Sequence, residues 1–164
     1  SPARRTGQTP PQAERREMMD DHHLIIRVVA RALIAPIFLF GLYVQFHGEY
    51  GPGGGFQAGI IFAVGFILYG TIFSLRQLRE KFPDHVIHRL MALGVLVYGG
   101  TGVVGMMLGT NFLNFTQLGP TPLYGQLYGI IAVELGVGLA VFSVMLSIYY
   151  AFAGRSGPID DKDW

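Results

Sequence analysis

No cysteine occurs in the 164 residues. That excludes disulfides, thiolate zinc sites, iron-sulfur ligation and Cys-attached haem, so redox chemistry in any assembly containing this chain falls to another subunit. Charge is also scarce: 14% of residues are Asp, Glu, Lys or Arg, against 51% hydrophobic. The net charge of +1 gives no electrostatic reason to bind nucleic acid or an acidic substrate. Enzyme signatures are missing as well. There is no GxxxxGKS/T, no GxSxG, no CxxC and no pair of carboxylates in a polar setting, so the chain is expected to be no enzyme and to need no cofactor or metal. Finally, Lys and Arg are absent from two particular segments, 47–55 and 110–126.

What is present is apolar length. Crossing about 30 Å of hydrocarbon takes roughly 20 mostly apolar residues in a helix. Four windows meet that demand: Leu24–Phe46, Phe56–Leu75, Leu90–Leu108 and Leu127–Phe152. A water-soluble helical protein is the competing reading, and the complete lack of charge in Leu90–Leu108 argues against it. The fold class is therefore an all-α membrane protein with four transmembrane helices. Residues 1–21, rich in Pro, Gln, Arg and acids, read as a flexible charged tail, 22–155 as the membrane domain, and 156–164 as a C-terminal tail. All 12 basic residues fall in the tails, near the start of span 1 or around the second connection. The positive-inside rule puts both termini in the cytoplasm, and an even number of crossings agrees. Arg27 and Arg31 stand in the cytoplasmic third of span 1, within reach of the headgroups. Pro36 is expected to kink that helix, because it lacks a donor and crowds the carbonyl of Ala32.

Small residues recur at helical spacing: Gly55, Gly59 and Ala63; Gly105 and Gly109; Ala132, Gly136 and Ala140. In lipid such faces let helix backbones approach closely. Glu134 is the one acid deep in an apolar span, where a charge costs about 2.5 to 3.5 kcal/mol on insertion scales. Its default reading is an ion-pathway group, and its bland one a protonated carboxyl bonded to a neighbouring helix. Gly138, one turn on, leaves room beside it for water or a partner helix. His47 and Glu49, at the outer end of span 1, fit either an ion or proton relay mouth or a solvated loop. His85 and His88 have ligand spacing but no third ligand, so an interfacial pair is the better reading. Asn114-Phe-Thr116 matches a glycosylation sequon, a triplet frequent by chance. The run Gly53-Gly-Gly55-Phe-Gln-Ala-Gly59 imitates a nucleotide-binding fingerprint. No strand precedes it and a membrane span follows, so it reads instead as a joint between helices.

From Tyr43 through His47, Pro52, Gly53, Gly54, Gly55, Phe56, Gln57 and Gly59 to Ile61, the sequence strongly resembles the signature of the MnhB/MrpB family. These are the B subunits of multisubunit Mrp-type sodium/proton antiporters. The run from Val133 through Glu134, Gly136 and Gly138, ending near Arg155, also resembles that family's last helix. The resemblance covers about residues 22–155. It implies a small subunit of a bacterial cytoplasmic-membrane complex that exchanges Na+ for H+ using the proton gradient, with the large A and the small C subunit as neighbours beside membrane lipids. Two alternatives stay open: a purely structural scaffold subunit, and the equivalent B-type chain of a membrane-bound hydrogenase or other complex I-like machine.

Overall fold

The structure, a computed structural model, describes residues 12–48 and 53–155. Those residues form α1 (Gln12–His47), α2 (Gly55–Phe73), α3 (Leu75–Lys81), α4 (Asp84–Met107) and α5 (Pro122–Ala153), with no strand among them. Four stretches are long and apolar enough to cross a membrane: Leu24–His47, Gly55–Phe73, Asp84–Met107 and Pro122–Ala153. The all-α, four-span architecture is thus the one the apolar windows imply.

The boundaries differ where something other than apolarity decides them. Helix α1 starts at Gln12, so the back half of the segment read as a flexible tail is helical. Ala13, Glu14, Arg15, Arg16 and Glu17 are good helix formers, and extending an existing helix needs no new nucleus. Residues 1–11 and 156–164 lie outside the described residues. Helix α5 starts at Pro122 rather than Leu127 because Thr121 caps it, its hydroxyl accepting from the Tyr124 N–H at 3.4 Å, while Pro122 occupies the first turn. Helix α1 continues through Pro36, which is exposed.

The helices pack in an open row: α1 on α2, α2 on α5, α5 on α4, with α1 touching α5 only lightly. Glycines set each crossing of α5. A Cβ on Gly94 of α4 would stand 2.6 Å from the Ala140 nitrogen and 2.7 Å from the Gly136 carbonyl oxygen. Across the other side, a Cβ on Gly59 of α2 would stand 2.6 Å from the Gly138 carbonyl oxygen. Both are backbone neighbours that cannot swing aside, so the absence of a side chain is what allows these distances. The α1–α2 contact is aromatic instead, with Phe38 stacked on Phe62 at 5.9 Å and tilted on Phe66 at 5.1 Å. The pair Gly105 and Gly109 is a correction. Gly105 abuts its own following loop, at Asn114 and Thr110, and Gly109 (φ +83°) follows the end of α4 in open space. Neither forms a helix-to-helix face, because a positive φ after a helix is a termination signal.

The connection after α2 contains a helix that the polar sequence did not announce. Leu78 of α3 is buried with Ile87, Leu146 and Tyr150, and Ser74 caps α3 by accepting from the Arg76 N–H at 3.1 Å. Arg79 donates to the Tyr150 carbonyl at 3.0 Å and stands 5.0 Å from the Tyr150 ring centre. It thereby adds a second bond to a carbonyl that already accepts from the Gly154 N–H at 3.0 Å, and it places a positive charge at the negative dipole end of α5. The Tyr150 hydroxyl in turn donates to the Phe82 carbonyl at 2.9 Å. Arg31 lies over the Phe73 ring at 5.3 Å and Lys81 over the Tyr69 ring at 5.0 Å, so the basic residues of α1 and α3 gather at one end.

Gly94→Val forces α4 and α5 apart and is expected to cost about 1 to 3 kcal/mol, as overpacking does. Gly99→Ala meets nothing within 4 Å and gains helix propensity, so it is expected to be neutral or slightly stabilising. Thermal unfolding of the two variants in detergent checks the contrast.

Candidate functional site

The end of α1 leaves carbonyls without helical partners. One of them, Val44 O, accepts from the Gly54 N–H at 3.0 Å, tying the start of α2 to the end of α1. Gly54 has φ +108° and ψ −179°, a region open essentially to glycine alone. A Cβ on Gly53 would stand 2.9 Å from the same Val44 oxygen, which explains a second glycine there. Gly55 begins α2 with its Cα against the backbone of Glu134, so that a Cβ would overlap the Glu134 carbonyl. The three glycines therefore serve three contacts: a tie to α1, a turn, and a seat for α5.

Glu134 is what they seat. Its Oε1 is 3.0 Å from where a Cβ on Gly54 would stand, and a methyl on Gly48 would overlap that oxygen. The carboxylate thus sits between the last turn of α1 and the first turn of α2. That first turn has no acidic residue and its N-cap offers no side-chain bond. The carboxylate brought in by α5 faces the partial positive charge there. Twelve residues of α5 precede Glu134, about 18 Å of helix at 1.5 Å per residue. The α1–α2 joint is accordingly a floor, and the α4–α5 hairpin a wall beside it. Phe115 of the connecting loop packs on Gly129, and Asn114 Oδ1 accepts from the Thr116 N–H (3.2 Å), the Thr116 hydroxyl (3.0 Å) and Gln126 (3.4 Å). The sequon asparagine is thus engaged in closing its own loop.

The other residues singled out from sequence divide. His47 is half-buried, its ring stacked on Tyr43 at 4.7 Å with its Nε2 3.5 Å from the Tyr43 hydroxyl. Glu49 and Pro52 lie outside the described residues. Gly138 borders the joint, and of the water or partner helix for which it leaves room, neighbouring helices take the space: Gly55 O of α2 and Gln45 Oε1 of α1 stand 3.0 and 3.1 Å from its Cβ position. Gly136 packs on α4, away from the joint, its Cβ position 2.9 Å from both Gly94 O and Tyr98 N. Gly136 and Gly138, about 200° apart around the helix, thus face two different neighbours. Phe56 and Gln57 are exposed in this chain, Gln57 Oε1 lying 3.9 Å from the Cβ position of Gly54. Gln45, 7% exposed, is the site residue that sequence reasoning missed; its signal is its place one turn before Gly48 on the same face of α1. His85 and His88 are both exposed on α4, and among the described residues no three His, Cys, Asp or Glu side chains converge.

Fold and site together define a multi-pass helical membrane protein in which an intramembrane carboxyl is seated by a glycine joint. Residues 25–147 match the family described as "Domain related to MnhB subunit of Na+/H+ antiporter", and the chain belongs to that family. It is 32% identical over 139 residues to a protein of Staphylococcus haemolyticus (strain JCSC1435) provisionally named antiporter subunit mnhB2, covering 83% of this chain and 98% of that one. The same identity holds over 140 residues of the protein so named in Staphylococcus aureus (strain Newman), again 83% and 98%.

Gly48→Ala is expected to push the Glu134 carboxyl out of its seat while leaving the α4–α5 crossing intact. A double-mutant cycle followed by thermal unfolding in detergent checks it: Gly48→Ala should destabilise the chain by about 1 to 3 kcal/mol, and clearly less in a Glu134→Ala background, where the overlapping carboxyl is gone.

Proposed function

We propose that the chain is the B-type subunit of a multisubunit Na+/H+ antiporter and that Glu134 carries protons or ions through its part of the complex. One observation bears most of the weight: Glu134 and the glycine run, 79 positions apart from Gly55 (134 − 55), form a single site. A carboxyl placed where two helix ends meet has the least helical backbone between itself and the aqueous side of that joint. The chain supplies no Lys or Arg to the joint from 47–55. The membership of the family and the relatives' names support a transport role over an enzymatic one.

The clustering of Arg31, Arg79 and Lys81 at the opposite end supports an orientation with both termini in the cytoplasm of a bacterial cell, in its cytoplasmic membrane. The joint then faces outward, with His47 and Glu49 beside it. Exposed apolar side chains on α1, α4 and the start of α2, such as Leu39, Leu96 and Phe56, suit contacts with A- and C-type subunits and with lipid. The open row also favours a second reading, a scaffold that only braces its neighbours. Pure bracing needs the crossings of α5 and not the acid.

Antiport in everted vesicles separates the two. Glu134→Gln is expected to lower Na+-dependent proton exchange at least tenfold with the complex still assembled; unchanged exchange would reject the carrier role. Gly59→Leu is expected to reduce recovery of the assembled complex under either reading, since it meets the α5 backbone.

A further inference from the structure

Because α1 rides on α2 and scarcely touches α5, a cleft of about 330 Å³ remains between the three helices. Its walls are Leu42, Phe62, Phe66, Leu139 and Phe142, with Phe82 at the far end. From Gly59 to Phe66 it follows α2 for seven residues, about 10 Å parallel to the helices. The near end, next to the α1–α2 joint, holds Gln45. That side chain is more than nine-tenths buried, borders the cleft, and makes no hydrogen bond to any described residue. What accessible surface the residue keeps lies beside the cleft, so an occupant of the cleft is placed to hydrogen-bond its amide.

We propose that this cleft binds one acyl chain of a bilayer phospholipid, with the ester carbonyl of that chain accepting from the Gln45 amide. The polarity runs as a lipid requires: one hydrogen-bonding group close to the helix ends, then an aromatic and aliphatic slot leading inward. Water fits poorly, because a water molecule needs two to four polar partners and the slot offers one side-chain amide. The size and lining match a ligand site with a small number of placed polar groups. The bound chain wedges α1 against α5 where protein contact is thin. The site stands apart from the Glu134 reading and survives its failure.

The test uses the purified assembled complex in nanodiscs of phosphatidylcholine containing a trace of phosphatidylcholine with a diazirine in mid-acyl chain. After photolysis the labelled residues are mapped by mass spectrometry. Once the probe has been diluted with unlabelled lipid before photolysis, labelling of Leu139 and Phe142 is expected to exceed that of Leu96, 69% exposed on α4, at least fivefold. Leu139→Trp fills the slot and should cut the Phe142 label at least fivefold without changing Leu96. Leu42→Trp serves the same purpose where the first variant does not assemble, and Gln45→Leu should speed loss of the label on dilution. Slot labelling no higher than at Leu96, or none with Leu139 and Phe142 contacted by another subunit in cross-linking, would overturn the proposal.

Discussion

Everything in this structure hangs on how closely α5 approaches the backbones on either side of it. The approach to α4 is made at Gly94 against Gly136 and Ala140, and the approach to α2 at Gly55 and Gly59 against Glu134 and Gly138. In a bilayer there is no hydrophobic drive to press helices together, so contact area between backbones has to supply the cohesion. Small residues on two faces of α5 make it the middle of the row. The two crossings then fix the height of Glu134 relative to α2, and hence which part of α2 it meets.

That height gives the acid its setting. A carboxyl halfway along a bilayer-length helix would ordinarily face the flank of its neighbour. Here α1 ends and α2 begins at that level, so Glu134 meets helix termini and a turn in place of a helical wall. Terminal N–H groups and carbonyls are polar surface that uninterrupted helices lack. The joint is also the one place in the described chain where the backbone needs glycine for conformation at Gly54 and for space at Gly48, Gly53 and Gly55. At the opposite end the chain is built differently: Leu78, Ile87, Leu146 and Tyr150 form a small buried core, and Arg79 and Tyr150 clamp the α3 connection to the end of α5. One end is closed by side chains; the other is shaped by their absence.

Much of this was legible in the amino-acid order, for reasons that can be named. A run such as Leu90–Leu108 has no stable alternative to a buried or membrane helix, so four spans followed directly. Glu134 stood out because an acid in such surroundings is costly, and the glycine run because nothing but a turn or a close contact uses three in a row. Less was legible wherever a contact decided the matter. Helix α3 looked like a charged linker because one buried side chain, Leu78, carries its docking. Gly105 and Gly109 have the spacing of a packing face, yet spacing alone does not distinguish a helix neighbour from the loop that follows. Gln45 was passed over because a glutamine near a helix end is ordinary until its surroundings are known.

Local composition and the energy of placing charge or peptide groups in hydrocarbon already dictate the medium, the number of crossings and the two features that identify the family. Helix packing is what makes those two features one site, turns Gly136 and Gly138 toward opposite neighbours, and sets Gln45 beside an apolar cleft. The physical reason is that pairing depends on axial register between helices, and register is set by the sum of many backbone contacts distributed along α2, α4 and α5, none of which a local pattern encodes.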